Sequence, residues 1–211
     1  MTEQEIRETL STIEAELKSG KSSADLLNDA GVGYYLLGEL KQAMEYLRKA
    51  AQKSEKPGIL FNLANIYSSL QEPDQAIATF LKVLEKDPGH IGALNNLADE
   101  YEHKGELDKA HELFHYLTHL QPDKALSHFN LGNFFLRQNQ HIEAAKCYEQ
   151  ALEKDETFVD AYHNIAWILY KSRAYKESMS YIEDGLSFDK NSDDLLKLKK
   201  DVTSAQDDTA I

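Results

Sequence analysis

The stretch ALNNLADEY, residues 93–101, places two asparagines inside the apolar pattern of a helix. Its apolar residues follow one another at spacings of one, three, one and three positions, which is typical of a helix that buries one face. Asn95 and Asn96 lie inside this pattern, although asparagine is a poor helix former because its amide competes for nearby backbone groups. Related stretches align four asparagines at intervals of 34 residues: Asn62, Asn96, Asn130 and Asn164. The regular spacing indicates a common role for these amides.

Small and bulky residues follow the same period. A mid-helix alanine recurs every 33 or 34 residues, and a bulky residue follows it four positions later. This pattern predicts pairs of antiparallel helices, because small residues let two helices approach closely and aromatic rings fill the remaining space. The alanines are Ala43, Ala76, Ala110 and Ala144, followed by Leu47, Phe80, Phe114 and Tyr148. The small residues upstream, each three positions before an aromatic, are Gly31, Ala64, Ala98 and Gly132.

A tight turn is predicted inside each helix pair, at Gly38, Gln71, Gly105, Asn139 and Arg173. Gly and Asn tolerate the left-handed backbone that commonly ends a helix. Gln71 and Arg173 do not suit that conformation, although Pro73 favours a turn after Gln71.

These residues resemble the tetratricopeptide repeat (TPR) family, whose series of small, aromatic, Ala, aromatic, small and Pro positions is matched here over residues 24–192. In the last unit Ser178 replaces the alanine, which is expected of a terminal repeat. The resemblance implies an all-α, right-handed superhelical solenoid of antiparallel helix pairs. Its five units are predicted at residues 24–56, 57–90, 91–124, 125–158 and 159–192.

Capping helices are predicted at both ends of the solenoid. Residues 1–23 contain an amphipathic helix that begins with a capping box of Thr2 and Glu5. We expect it to cover the first repeat, and the alternative is a loose amphipathic arm. Residues 193–203 are predicted to form the C-terminal capping helix, and residues 204–211 a disordered polar tail.

The composition argues against several classes of partner and location. With 23 basic and 36 acidic residues the net charge is −13, which disfavours nucleic acid and anionic membrane surfaces. No apolar run approaches the roughly 18 residues that a membrane-spanning helix needs. The acidic N-terminal stretch also lacks the basic start and apolar core of a secretory signal. We therefore expect a cytoplasmic protein.

The asparagines are predicted to line a groove. In TPR proteins the first helices face the inner groove, and each asparagine here precedes a core residue by one position, which turns it about 100° away from the core. Positions three residues later and one residue earlier carry further candidates. Trp167 is predicted either to anchor a partner or to pack on the final capping helix. The predicted peptide-binding set is Asn62, Asn65, Asn96, Asp99, Asn130, Asn133, Asn164, Phe61, Phe129 and Trp167.

An amide side chain offers both a donor and an acceptor, so it can pair with a peptide unit whatever side chain that unit carries. The row resembles the asparagine ladder in the superhelical domain of O-linked N-acetylglucosamine transferases and similar peptide-binding solenoids. The alternative is that the amides bridge neighbouring helices within the scaffold, and both roles can hold at different positions. We expect Asn96→Ala and Asn130→Ala to abolish peptide binding with little change in stability.

The charges expected in the groove favour a neutral or basic extended peptide. Acidic side chains outnumber the basic Arg137 and Lys171, since they include Asp25, Asp29, Asp99, Glu102 and Asp160. Chaperone-binding TPR proteins clamp a C-terminal carboxylate with Lys and Arg. The corresponding positions here hold Asn28, Val32, Asn62, Gly92 and Asn96, so we expect no binding of acidic heat-shock chaperone tails.

One motif points to an enzyme as the alternative to a binding protein. His111, Glu112 and His115 match the spacing of a zinc protease. However, Ala110 and Phe114 occupy core positions of the same helix, and no third ligand follows at protease spacing. We predict a solvated histidine face, with no catalytic residues, metal or cofactor.

The sequence leaves three functions open. The first is a non-enzymatic adaptor that binds an extended peptide of a partner protein in an asparagine-lined groove. The second is a structural or self-assembling scaffold whose terminal helices mediate homodimerisation. The third is a metal-dependent hydrolase built on the histidine motif.

Overall fold

The computed structural model describes the backbone of residues 2–209 and the side chains of residues 2–207, and every regular element in this range is an α-helix. The chain divides into two compact units, residues 1–113 and 114–211, with the boundary inside α7. The architecture is an all-α helical repeat. Its helices are α1 (Glu3–Lys18), α2 (Ala24–Leu36), α3 (Leu40–Lys53), α4 (Pro57–Ser69), α5 (Pro73–Lys86), α6 (Ile91–His103), α7 (Leu107–Leu120), α8 (Ala125–Arg137), α9 (His141–Lys154), α10 (Val159–Lys171), α11 (Tyr175–Phe188) and α12 (Asp193–Thr209).

In the first unit, α2 pairs with α3 and α4 pairs with α5, and each pair packs on the helix that follows. The periodic small residues lie where the paired helices meet. Ala43 and Ala76 are fully buried, and a Cβ built on Gly31 would lie 2.5 Å from Leu47 Cγ. Close helix contact at these positions therefore depends on the absence of a larger side chain.

The N-terminal helix α1 packs against α2. Its Ile6 and Leu10 are buried against Ala30 of α2, so the helix is docked along its apolar face. The predicted capping box is confirmed, because Thr2 accepts a hydrogen bond from the Glu5 N–H and the Glu5 side chain accepts one from the Thr2 N–H.

The second unit repeats this packing with α8 on α9 and α10 on α11. A Cβ on Gly132 of α8 would lie 2.6 Å from Cε1 of Tyr148, whose side chain is fully buried. Helix α12 covers α11, with Leu195 and Val202 buried against Ile182.

The three-residue connections inside the helix pairs share one backbone geometry. Their middle residues, predicted from the sequence as turn positions, all have positive φ: Gly38 (74°), Gln71 (59°), Gly105 (76°), Asn139 (58°) and Arg173 (62°). The expectation that Gln71 and Arg173 would avoid this region is wrong. The next N–H bonds a carbonyl five residues back, as in Glu72 to Tyr67 at 2.9 Å, which is the hydrogen bond of a Schellman cap.

We predict that Gln71→Gly and Arg173→Gly stabilise the protein. A left-handed backbone costs a residue with a side chain about 1–2 kcal/mol, and glycine avoids this cost. Glycine also raises the conformational entropy of the unfolded chain, which offsets part of the gain in stability. Each change should therefore raise the free energy of unfolding by about 0.5–1 kcal/mol in urea titration. The matched control is Gln75→Gly in α5, where the same substitution should lower it by about 1 kcal/mol. A loss of stability at Gln71 would contradict this account.

The C-terminal helix is longer than predicted. Helix α12 continues to Thr209, whereas the sequence placed its end at residue 203 and a disordered tail after it. Ser204, Ala205 and Gln206 can continue a helix at little cost, and Ala205 and Gln206 are partly buried. Residues 210 and 211 of the predicted tail lie outside the described residues.

Candidate peptide-binding surface

The first helix of each pair is α2, α4, α6, α8 or α10. In the first unit, the predicted asparagines form hydrogen bonds between successive first helices. Asn62 Nδ2 of α4 donates to Asn28 Oδ1 of α2 at 2.8 Å, and Asn96 Nδ2 of α6 donates to Asn65 Oδ1 of α4 at 2.7 Å. These four residues are the first amide row. The neighbouring Asn95 bonds its own helix, donating to the Ile91 carbonyl at 3.0 Å. The two adjacent asparagines of the opening stretch thus have different partners.

A second amide row, consisting of Asn133 and Asn164, lies in the second unit. Asn164 Nδ2 of α10 donates to Asn133 Oδ1 of α8 at 3.2 Å. The same oxygen accepts the hydroxyl of Tyr148 at 2.8 Å. Burial raises the pKa of Tyr148, so its hydroxyl stays protonated at neutral pH and acts as the donor. His163 Nδ1 lies 3.2 Å from Asn164 Oδ1.

These bonds give the amides a structural role, which is the bridging alternative considered above. An asparagine amide has two N–H donors and an oxygen with two lone pairs. Each interhelix bond uses one N–H of Asn62, Asn96 or Asn164. All the row residues are partly rather than fully buried. The expectation of unchanged stability on replacing Asn96 is therefore revised, because Asn65 Oδ1 would lose its donor.

The predicted aromatic residues are held by neighbouring rings. Phe61 is partly buried, with its ring centroid 4.7 Å from that of His90. Phe129 is likewise partly buried, with its centroid 4.9 Å from that of Phe158. The packing around each ring sets its orientation.

Trp167 is also partly buried. It packs against a cluster formed by Ala166 of its own helix, Ile182 of α11 and three residues of α12, and its ring centroid lies 6.1 Å from that of His141 on α9. Lys171 Nζ lies 5.2 Å from a ring centroid of Trp167, within cation–π range. The remaining predicted side chains lie on the same helices, with Asn130 partly buried on α8 and Asp99 exposed on α6.

Two acidic residues of α2 differ in their partners. Asp25 forms an ion pair with Lys56 at 2.8 Å. The exposed Asp29 accepts a hydrogen bond from Asn28 Nδ2 at 3.3 Å. The first amide row therefore ends on a carboxylate.

The histidine motif lies on α7. The ring centroids of His115 and His119 are 4.5 Å apart. Within the described residues no group of three or more His, Cys, Asp or Glu side chains is arranged to hold a metal ion. Cys147 is buried, and burial raises the pKa of its thiol to about 11, which keeps it protonated.

Sequence reasoning missed two members of the site. Asn28 was considered only as a position that lacks the basic residue of a chaperone clamp, but it accepts the hydrogen bond from Asn62. Its spacing of 34 residues from Asn62 was the sequence signal that could have identified it. Tyr148, read only as a core aromatic, orients Asn133 through its hydroxyl. No sequence signal distinguished this Tyr from the Phe at equivalent positions.

The direction of the interhelix bond leads to a matched pair of charge changes. In Asn65→Asp the carboxylate can still accept from Asn96, whereas in Asn96→Asp two oxygens face each other. We expect Asn96→Asp to lower the free energy of unfolding by about 1–3 kcal/mol and Asn65→Asp to change it by less than about 0.5 kcal/mol. Both variants add one negative charge, so the difference between their free energies of unfolding in urea titration reports on the hydrogen bond between Asn96 and Asn65. Equal losses, or the reverse order, would contradict the assigned direction.

The helix pairs, their periodic small residues and their left-handed turns together define a TPR protein, and the chain belongs to the tetratricopeptide repeat family. Two tetratricopeptide repeat models match residues 23–56 and 57–90. A third model, the middle TPR-like domain of Cilia and flagella-associated protein 70, matches residues 94–193.

Among known proteins, the chain is similar to the Protein O-mannosyl-transferase TMTC3 of Mus musculus, with 27% identity over 71% of this chain and 18% of that protein. The chain thus spans about a fifth of this relative. The solved structure of pilF from Pseudomonas aeruginosa has a TM-score of 0.70 and 22% identity, covering 89% of this chain and 86% of that one. YrrB, a TPR protein with an unusual peptide-binding site, has a TM-score of 0.61 and 16% identity, covering 89% and 97%. These likenesses concern the fold.

Within the described residues, no helix has both the length and the apolar character that a membrane span requires.

Proposed function

We propose that this chain is a non-enzymatic adaptor that binds an extended peptide segment of a partner protein along its amide rows. TPR proteins in general mediate protein–protein interactions. The observation that supports a peptide main chain as the ligand is the set of partly buried asparagines on successive first helices, whose side chains are held in place by hydrogen bonds between those helices. A side chain that is already oriented loses little rotamer freedom on binding.

The charge of the chain supports a neutral or basic ligand. Its net charge is −13, and Asp29 and Asp99 are exposed on α2 and α6. Like charges facing each other across an interface weaken association, so an acidic peptide and a nucleic acid phosphate backbone are disfavoured. A cytoplasmic location stays a prediction.

The fold supports a scaffold rather than an enzyme. The TPR fold is typically a non-catalytic interaction scaffold. The similarity to a mannosyl-transferase covers only 18% of that enzyme, so it does not support a transferase activity for this chain. Homodimerisation through the terminal helices stays the alternative, and light scattering over a range of concentrations tests it.

A binding experiment tests the proposal. Peptides selected from a random display library with the full chain are measured by fluorescence anisotropy against the wild type and against Asn96→Ala and Asn164→Ala, one residue from each amide row. Each variant should bind about tenfold more weakly, which corresponds to one lost hydrogen bond of about 1.4 kcal/mol. Since Asn96 and Asn164 also bridge two helices of the scaffold, circular dichroism at the assay temperature must first establish that the variants are folded.

The matched controls are Gln52→Ala and Gln150→Ala, which remove exposed amides from the second helices α3 and α9. These variants should bind as the wild type does. Folded Asn variants with unchanged affinity would refute the amide rows as the binding surface.

A further inference from the structure

A cavity of about 400 Å³ lies between α1 and α2 in the first unit. Its walls are apolar, with Leu10 and Ile13 from α1 and Val32 and Leu36 from α2. Leu36 is 55% exposed, so the cavity is open on that side. Its shape depends on Gly33, where an added Cβ would lie 2.7 Å from Leu10 Cδ2.

The cavity adjoins the end of the first amide row, since Asn28 and Asp29 also line it. Asn62 donates to Asn28 at 2.8 Å, and Asn28 donates to Asp29 at 3.3 Å. Hydrogen bonds in such a chain polarise one another in the same direction. The chain of donors therefore runs from the amide row to a carboxylate at the rim of an apolar cavity.

Asp29 is the charged group at this rim. Among the described residues it has no ion-pair partner within 4 Å, unlike Asp25, which pairs with Lys56. An exposed carboxylate beside an apolar cavity fits a cationic group next to an apolar one. The strongly negative charge of the chain favours the same class of ligand.

We propose that this cavity takes one large apolar side chain, such as Leu, of the bound peptide, and that a neighbouring Lys or Arg of the same peptide pairs with Asp29. The inference rests on the proposed peptide-binding function and defines its ligand class: an extended segment with an apolar residue next to a basic one. Burying a Leu side chain is worth enough to change an equilibrium about tenfold or more relative to Ala.

Disulfide tethering tests the cavity directly. Thr9→Cys places a thiol at the exposed edge of the cavity, and Cys147 does not compete at neutral pH because it is buried and the pKa of its thiol is raised to about 11. The full chain is equilibrated with disulfide-capped peptides Cys-Gly-Leu-Lys, Cys-Gly-Ala-Lys and Cys-Gly-Leu-Glu under a fixed thiol buffer. Mass spectrometry measures the fraction of protein that is modified.

The Leu-Lys peptide should form the disulfide about tenfold more favourably than the Ala-Lys peptide, and more favourably than the Leu-Glu peptide. Asp29→Asn should remove the preference for Lys over Glu and keep that for Leu over Ala. The matched control is Ala15→Cys, an exposed position on α1 outside the cavity, which should not discriminate among the peptides. Equal modification by all three peptides at Thr9→Cys, or the same preference at Ala15→Cys, would overturn the proposal.

The outcome is separable from that of the proposed function. A failed tethering result together with Asn96-dependent peptide binding would refute the cavity and leave the amide rows standing. Discrimination at Thr9→Cys without any effect of Asn96→Ala would support the cavity and refute the rows. If the wild type self-associates and Val32→Glu abolishes this, the occupant is a second copy of the chain and the peptide assignment is overturned.

Discussion

Replacing Tyr148 with Ala should lower the free energy of unfolding by about 3–5 kcal/mol, a large part of the stability of a domain of this size. The Tyr148 side chain is fully buried, and its ring fills the space that Gly132 leaves open on α8. Its ring centroid lies 5.4 Å from that of Phe129, and its hydroxyl bonds Asn133. Truncation therefore opens a cavity and removes a donor from the second amide row.

Tyr148→Phe separates the two contributions. This variant keeps the ring and removes only the hydrogen bond to Asn133, whose Oδ1 still accepts from Asn164. We expect a loss of about 1 kcal/mol in urea or thermal unfolding. A Phe variant as unstable as the Ala variant would mean that the hydroxyl and not the ring stabilises this contact. An Ala variant within about 1 kcal/mol of the wild type would contradict the packing described here.

The second large effect is expected in the first unit, where Gly31→Val should lower the free energy of unfolding by about 3 kcal/mol. Its Cβ would lie 2.5 Å from Leu47 Cγ and 3.3 Å from the carbonyl oxygen of Ala43. Leu47 is only 1% exposed, so it cannot swing into solvent, and the backbone of α3 must move instead.

The control for this prediction is Gly58→Val at the start of α4. A Cβ at Gly58 meets no atom within 4 Å, so the substitution adds no clash. We expect a change of less than about 0.5 kcal/mol by differential scanning calorimetry, because Val and Gly differ little in helix propensity. If both glycine variants lose the same stability, backbone propensity rather than close packing at Gly31 is responsible.

The helix pairs were predictable because the burial of one face imposes a period that the sequence repeats. Ala43 and Ala76 were recognised as anchors from spacing alone, and both are fully buried. The left-handed turns at Gln71 and Arg173 were not predicted, since the residue type argues against them. There the packing of the two flanking helices and the three-residue connection determine the backbone, which overrides local preference.

The pairing within the amide rows could not be predicted from the repeat. Asn96 and Asn164 each bond an asparagine 31 positions earlier. Asn62 occupies the same repeat position but bonds Asn28, 34 positions earlier, because the residue 31 positions before it is Gly31. The choice depends on which side chain the preceding helix offers at hydrogen-bonding distance. Asn65 offers an amide within reach of Asn96, so the bond depends on residues of two neighbouring repeats and not on one repeat alone.

The most direct test of the amide rows is a double-mutant cycle between the protein and the main chain of a bound peptide. A display-selected peptide is synthesised with single backbone esters, which remove one N–H at a time, and each is titrated against the wild type and Asn96→Ala. At one peptide position the ester should weaken binding to the wild type by about tenfold and have little further effect on Asn96→Ala. Esters that weaken both proteins equally at every position would contradict main-chain recognition by this row.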